Sequence, residues 1–298
     1  MKMNNNIYGV LGIEAVNSNW NADFDGMPKT DNGENIKGSP YAIQYCIKKL
    51  WQSKGEKVLG LKETDEKSGK IFTLEGKLNS ISETKIEKEK EVWENLLRCK
   101  DVRNFGVVFA VKKLNGGLCG VVQIQDGLNK FKDTQVKVET ILSPYVNSNK
   151  TDNNATTNGT RITTDEAHYV YPFSVNPNQL DSYTEEDYQD FKDVSLKSVT
   201  LYNSKAKAGC KNEFGLFVRV KEECNYVLAL GDLSEYILVY KEEDKIVYNL
   251  TKLNQLLEDC KDKIEDVEMY YNPYLLKVIG LDATLDIVKF NIISGKEL

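Results

Sequence analysis

The residues of this sequence most capable of chemistry are a single histidine and a pair of aspartates. His168 lies in an apolar stretch with no cysteine at metal-ligand spacing, so the spacing does not indicate a zinc site. It could act as a general base beside a serine or cysteine, but a histidine that packs in the core or stacks on a substrate is the favoured interpretation. Asp23 and Asp25 could bind a hard cation, although their loop lacks the distal glutamate of a calcium loop. Side chains bonding their own backbone in turns explain these aspartates equally well.

Motifs for phosphate binding and for metal clusters are absent from the sequence. No GxxxxGKS/T motif is present, and no GxGxxG motif joins a predicted strand to a helix. The six cysteines are scattered without a CxxC pair, which indicates reduced, mostly buried thiols and neither a disulfide framework nor zinc. The sequence therefore predicts a protein that is not an enzyme, with no catalytic residue, no cofactor and no metal.

Polar side chains that suit a nucleic-acid backbone are better represented. Asparagines and lysines, which can donate to phosphates, occur in loops that follow predicted strands. Gln44 and Lys48 share one helix face, four residues apart. Tyr169 and Tyr171 alternate along one predicted strand, where they could stack on bases or pack in the core. A solvated or packed role explains each residue alone, but their joint position at strand ends favours binding.

The charge distribution restricts the kind of partner. A formal net charge of −6 and a pI near 5.2 exclude a protein that coats nucleic acid indiscriminately. Most of the cation excess precedes residue 212, and the last third is acidic, so we expect either one side facing a polyanion or an uneven surface without function. No apolar run approaches the roughly 20 residues that span a bilayer. The N-terminus lacks the features of a signal peptide, so we expect a cytoplasmic protein without a membrane partner.

The first elements are marked by local signals. Residues 7–16 are apolar and β-branched and predict a buried strand. Residues 17–38 are crowded with Asn, Asp and Gly and predict a long loop. Ser39 is a predicted N-cap with Pro40 at the first helical position, and Gly55 ends the helix.

The middle of the chain predicts an insertion followed by a hairpin. Residues 56–100 are highly charged and end in an amphipathic helical stretch, which indicates an insertion on the main core. Residues 105–114 and 118–125 predict two paired strands, with a turn at Gly116 and Gly117.

The remainder alternates between strands and helices after a polar segment. Residues 143–165 are turn-rich and predict a flexible segment. The other predicted elements are a strand at 167–175, a helix from Thr184 to about 197, strands at 214–221 and 235–241, a helix near 251–262 and a strand at 284–292. The order of elements indicates an α+β fold with long insertions and not a doubly wound one.

The order of several motifs resembles one family. The runs GIEAVNSNWNADFDGMPKTD and KGSPYAIQYCIKKLWQSKG are similar to the opening of the CRISPR-associated backbone subunits of type I surveillance (Cascade) complexes, the Cas seven (Cas7) family, particularly its type I-B branch. GVVQIQDGLNKFKDTQVKVETILSPY, AHYVYPFSV, TEEDYQDF and LYNSKAKAG resemble its later segments. The resemblance covers roughly residues 7–220 in order.

The resemblance implies a modified ferredoxin-like (RRM-like) antiparallel sheet core with inserted finger-like and thumb-like elements. The expected segments are a first core part at 1–55, a finger-like insertion at 56–100, a core hairpin at 101–125, a thumb-like insertion at 126–165 and a second core part with an acidic C-terminal portion at 166–298.

The resemblance also implies a non-catalytic function in antiviral defence. Copies of the chain would line up along a guide RNA (crRNA) and support its pairing with target DNA, beside other CRISPR effector subunits. The residues expected to contact RNA are Asn17, Asn19, Asn21, Lys29, Lys37, Gln44, Lys48, Lys49, Gln123, Lys130, Lys132, Arg161, His168, Lys205 and Lys207.

Two departures from the family pattern affect individual residues. Gln44 and Tyr45 stand where the family usually has a Lys-Arg pair, so phosphate contact is expected to shift to Lys48 and Lys49. Trp20 and Ala22 interrupt the asparagines of the first loop.

Two other functions remain open at this point. Related type III backbone subunits cleave target RNA with an acidic loop residue, so Asp23 or Asp25 could serve a metal-dependent ribonuclease. The chain could also be an intracellular scaffold protein that binds no nucleic acid.

Overall fold

The protein has a mixed α/β fold built on one large sheet. The computed structural model describes residues 1–66, 68–82, 89–111, 114–146, 156–202, 204–281 and 285–298. Within these residues the strands form a ten-stranded, a three-stranded and a two-stranded sheet. No helix in these ranges is long and apolar enough to span a bilayer.

The strands and helices are numbered in chain order. The strands are β1 (Ile7–Ser18), β2 (Thr30–Asp31), β3 (Asn35–Gly38), β4 (Gly106–Val111), β5 (Leu114–Cys119), β6 (Val122–Ile124), β7 (Gly127–Asn129), β8 (Val136–Val146), β9 (Thr156–Val175), β10 (Cys210–Val220), β11 (Leu238–Glu242), β12 (Lys245–Asn249), β13 (Ile264–Tyr271), β14 (Leu276–Ile279) and β15 (Ile287–Asn291). The helices are α1 (Pro40–Ser53), α2 (Leu74–Ile81), α3 (Glu89–Leu97), α4 (Lys100–Phe105), α5 (Glu185–Ser195), α6 (Ser198–Leu201) and α7 (Thr251–Asp259).

Strand β9 organises the large sheet. β1 pairs antiparallel with β9 along one edge and with β10 along its own other edge. The opposite edge of β9 pairs in succession with β8, β7 and β6. The first part of β9 therefore forms a ribbon with β8, and its second part lies at the centre of the sheet.

The two faces of the central strands pack into different hydrophobic cores. Successive residues of a strand point to opposite faces. On β1, Leu11 and Ile13 pack in a core with Ile47 and other residues of α1, whereas Val10 packs on the other face with residues of β10, β12 and α7. Both faces of β1 are thus covered, which explains its nearly continuous apolar sequence.

Several predicted elements are present where local signals placed them. The strand at 7–16 is the main part of β1, and α1 begins at Pro40 as expected, although the Ser39 side chain makes no capping bond. Thr184 caps α5 through a capping box with Asp187, which confirms the signal in TEED.

Three predicted segments differ from the structure. The loop at 17–38 contains β2 and β3, and its first two residues complete β1. The turn at Gly116 and Gly117 is wrong, because both glycines lie within β5 and pair with Val108 and Phe109 of β4. Of the segment predicted to be flexible, 143–146 belongs to β8 and 156–165 to β9, and 147–155 lies outside the described residues.

The hairpin of β4 and β5 does not join the large sheet. It forms its own two-stranded sheet, and Phe109 packs in a small core with Leu59, Leu78, Leu96 and Val102. The hairpin therefore packs mainly with residues of the segment 56–100, although it was expected in the main core. The division of the chain into segments stays a prediction. Only β6, after Gly120, joins the large sheet by pairing with β9.

Candidate nucleic-acid interface

Four of the residues expected to contact RNA line one cleft of about 230 Å³. Asn17 and Asn19 come from the end of β1, Arg161 from the ribbon part of β9, and Lys205 from the turn before β10. The chain brings them together because β1 lies between β9 and β10 in the sheet.

The two cations of the cleft are exposed. The guanidinium of Arg161 donates to the Asn17 carbonyl oxygen at 3.1 Å and lies 3.6 Å from a Glu139 carboxylate oxygen, while half of its side chain remains exposed. Lys205 is exposed and makes no ion pair with the described residues. Asn17 adopts a left-handed backbone conformation (φ 47°), which asparagine tolerates better than most residues.

The loop after β1 is fixed by its own polar side chains. The Asn19 amide donates to the Gly26 carbonyl oxygen at 2.9 Å, and Asn19 is only 9% exposed. The Asn21 side-chain oxygen accepts from the Ser39 backbone N–H at 2.7 Å. These two asparagines therefore hold the loop against the sheet and the start of α1, whereas Phe24 at the loop's tip is fully exposed.

Trp20 is the buried anchor of this loop. Its indole N–H donates to the Tyr171 hydroxyl at 2.5 Å, and its side chain is fully buried. Lys207 donates to the Trp20 carbonyl oxygen, and its ammonium lies 4.2 Å from the centre of the indole ring. Burial lowers the pKa of Lys207 below its usual value. Lys207 thus holds Trp20 and its loop in place beside the cleft.

The other expected contact residues lie elsewhere. Three of them have partners of their own. Lys37 pairs with Asp126 at 2.6 Å, Lys49 donates to the Gln52 side chain at 3.0 Å, and Gln123 donates to the Gly120 carbonyl oxygen at 2.8 Å. Seven expected contact residues do not line the cleft, and no described hydrogen bond or ion pair joins them to it. They are Lys29, Lys37, Gln44, Lys49, Gln123, Lys130 and Lys132. Their role in binding RNA stays a prediction.

Two further expected contact residues, His168 and Lys48, do not line the cleft, and their contact with RNA stays a prediction. His168 is completely buried, and its Nδ1 lies 2.8 Å from a Glu213 carboxylate oxygen, so its ring is not presented to a surface ligand. Burial alone lowers the pKa of His168, but the carboxylates of Glu213 and Glu166 more than offset it, so the pKa is raised. The ammonium of Lys48 lies over the Phe105 ring at 5.8 Å, and burial lowers its pKa.

The two tyrosines considered for base stacking pack in the core. Tyr169 and Tyr171 are 1% and 0% exposed. They point to the same face of β9 as Phe173, toward α1 and α5. Core packing is therefore the correct one of the two interpretations.

The acidic loop residues form turns in the structure. A carboxylate oxygen of Asp25 accepts from the Met27 backbone N–H at 2.9 Å, and one of Asp23 accepts from the Phe24 backbone N–H at 2.9 Å. Among the described residues, one group of three potential metal ligands lies together, and it contains Glu14, Glu166 and His168 and neither aspartate. Nothing in the loop favours the ribonuclease alternative.

The sequence did not identify the apolar wall of the cleft. Ile141 of β8 and Ile162 of β9 line it together with Thr160 and Thr163. The available signal was the four apolar residues among the seven of VKVETIL in β8, of which Val138 and Leu142 are exposed.

One family model matches most of the chain. It is described as CRISPR-associated protein Cas7, and it matches residues 5–262. A search of curated proteins finds no significant match to the sequence.

Two solved structures are similar to the whole chain. A chain of a "CRISPR RNA-guided surveillance complex, pre-nicking" is 12% identical, with 96% of this chain and 97% of that chain covered and a TM-score of 0.56. A chain of a "CRISPR RNA-guided surveillance complex" is 14% identical, with 88% of each chain covered and a TM-score of 0.46. The first similarity shows a shared fold. The TM-score of the second is too low to show one.

Proposed function

Because the chain belongs to the Cas7 family of CRISPR-associated proteins, we propose that it is a non-catalytic subunit that binds the backbone of a guide RNA. It acts in a CRISPR surveillance complex, beside further copies of itself and other effector subunits, and supports pairing of the guide with target DNA. The name of the similar structure with a TM-score of 0.56, an RNA-guided surveillance complex, supports these partners.

The cleft at the base of the β8–β9 ribbon carries this proposal. Exposed Arg161 and Lys205 stand at a concave surface whose remaining lining is neutral. Such a surface binds phosphates without reading sequence, as a protein that accepts any guide requires. A localised site of this kind is also compatible with a net charge of −6.

The arrangement of the central strands supports a ferredoxin-like core. Other elements intervene, but β1, α1, β6, β9, α5 and β10 occur in the strand–helix–strand–strand–helix–strand order of that fold. Every contact between neighbouring strands of this set is antiparallel. We assign the thumb-like element to the ribbon of β8 and β9, and the finger-like element to 56–100 together with the β4–β5 hairpin. The type I-B branch remains our proposal for the subtype.

The proposal is tested by the salt dependence of RNA binding. Each phosphate contact on a single strand contributes about 0.7 to the slope of log K against log salt. Replacing both cations in Arg161→Gln/Lys205→Gln should therefore reduce the slope by about 1.4 and weaken binding. Fluorescence anisotropy with a labelled single-stranded guide RNA measures both quantities.

The matched control is Lys252→Gln, an exposed lysine on α7 outside the cleft. It should leave the slope and the affinity unchanged. If the double variant keeps the wild-type slope while its circular dichroism matches the wild type, the cleft does not bind the RNA backbone and the proposal fails.

A further inference from the structure

The strand register gathers three potential metal ligands on one face of the sheet. Glu14 of β1 lies directly opposite His168 of β9, and Glu166 lies two residues along the same strand. All three therefore point away from α1, to the face that carries Val10 and Val170. A ligand atom of each lies within 4.8 Å of the others.

His168 is oriented in the manner of a metal ligand. Its Nδ1 lies 2.8 Å and 3.0 Å from the two carboxylate oxygens of Glu213, which is itself held by the Tyr248 hydroxyl at 2.7 Å. In the neutral imidazole, such a carboxylate favours the tautomer in which Nδ1 carries the proton and Nε2 offers a lone pair. Nε2 is buried, has no hydrogen-bond partner among the described residues and faces Glu166, 3.6 Å from its Oε1.

A β-bulge places Glu213 behind the histidine. The register of β10 on β1 shifts between Gly12 and Ile13, so Glu213 has no partner in the ladder. Bulges of this kind re-aim a side chain and are frequent beside functional sites. Glu213 is only 3% exposed, although no lysine or arginine of the described residues pairs with it.

The two ligand carboxylates are partly neutralised and reach a cavity. Lys211 lies 2.5 Å from Oε2 of Glu14, and Lys241 lies 2.8 Å from Oε2 of Glu166, which leaves Oε1 of each carboxylate. Both glutamates line a cavity of about 490 Å³ whose other walls include Leu196, Ile246 and Ile292. The carboxylates of Glu14, Glu166 and Glu213 outnumber the two ammonium groups of Lys211 and Lys241, so the site favours a cation over an anion.

We propose that Glu14, Glu166 and His168 bind a divalent transition-metal ion, zinc or manganese, at the wall of this cavity. One imidazole and two carboxylates suit these ions better than magnesium, which prefers an all-oxygen octahedron. Ligands of a tetrahedral zinc lie about 3.3 Å apart, close to the 3.6 Å between Nε2 and Glu166. The remaining coordination positions face the cavity, where a water or a small anion completes the shell. This metal site is independent of the proposal that the cleft binds guide RNA.

The single histidine of the chain allows a direct test. The full-length protein, prepared without a histidine tag and with ¹⁵N-labelled histidine, is titrated with zinc and observed by NMR. The Nε2 signal of His168 should move and saturate at one zinc per chain, and an equal concentration of magnesium should leave it in place.

Variants of the two carboxylates distinguish a metal site from a buried ion pair. Glu14→Gln and Glu166→Gln should each weaken zinc binding at least about tenfold. Glu94→Gln, on the exposed face of α3, should bind zinc as the wild type does. Because both ligand glutamates are partly exposed, these variants avoid disrupting the buried histidine. An Nε2 signal that ignores zinc, or zinc binding that survives both substitutions, overturns the proposal.

Discussion

The hydrogen bond between Trp20 and Tyr171 is the buried anchor of the loop that borders the cleft. Both side chains are fully buried, the indole N–H lies 2.5 Å from the hydroxyl, and the rings meet edge to face at 83°. The backbone of Gly38 approaches this hydroxyl closely, because a Cβ added at Gly38 would lie 1.7 Å from it. Removing either partner therefore leaves the other polar group buried.

The expected cost of each substitution follows from this arrangement. Tyr171→Phe leaves the indole N–H of Trp20 buried without an acceptor and should lower the free energy of unfolding by about 1–3 kcal/mol. Trp20→Phe leaves a small cavity and a hydroxyl whose other acceptor, the Ser39 carbonyl oxygen, is 3.4 Å away, and should cost about 2–3 kcal/mol. The double variant removes both polar groups, so it should be about 1–2 kcal/mol more stable than the sum of the single effects predicts.

Urea unfolding followed by circular dichroism measures this coupling without relying on tryptophan fluorescence. A control cycle pairs Trp20→Phe with Tyr183→Phe, whose hydroxyl donates to the Asn104 side chain and shares no partner with Trp20. The control pair should be additive within about 0.5 kcal/mol. If the Trp20 and Tyr171 substitutions are also additive, the hydrogen bond does not anchor the loop.

Two further predictions concern titratable groups. Burial raises the pKa of Asp187, but hydrogen bonds from Arg103 and Thr184 more than offset this and hold it below its usual value. The carboxylate therefore contributes stability above about pH 4, its unfolded value, and that contribution is lost as the pH falls through the lower folded pKa. Asp187→Asn should be less stable than the wild type at pH 7 and lose less stability toward pH 3 in urea titrations, and parallel curves would contradict this. Burial raises the pKa of Cys46 to about 12, so iodoacetamide at pH 8 should modify exposed Cys119 first, as peptide mass spectrometry would show. Equal modification of both thiols under native conditions would refute this expectation.

Local signals predicted the elements that depend on neighbouring residues. Pro40 at the start of α1 and the capping box of Thr184 act within one turn of helix, so the sequence alone predicts them. The β4–β5 turn was misplaced because a Gly-Gly pair usually marks a turn. Glycine is instead needed at position 116 within β5, because a Cβ there would lie 2.4 Å from an atom of the Trp93 ring. This requirement comes from a tertiary contact, so no local sequence pattern reveals it.

Four of the residues expected to contact RNA line the cleft, but the sequence alone did not show that they lie together. Asn17 was expected from its loop after a strand, and Arg161 and Lys205 from the family resemblance. Only the order of β10, β1 and β9 shows that they lie together. His168 illustrates the opposite limit. Its isolation from cysteine suggested no ligand role, whereas the register sets Glu14 opposite it across 154 residues of chain, from residue 14 to residue 168.

The continuous course of β9 constrains how the protein can change in length. One strand carries Arg161 at the cleft and, five residues later, Glu166 beside the cavity. Because strand side chains alternate between faces, inserting or deleting a single residue between them would turn one set toward the wrong side of the sheet. Insertions between Val146 and Thr156, where β8 ends and β9 begins, would leave the side chains on both faces of β9 in register. Relatives and engineered versions should therefore vary in the reach of the ribbon while keeping this five-residue spacing.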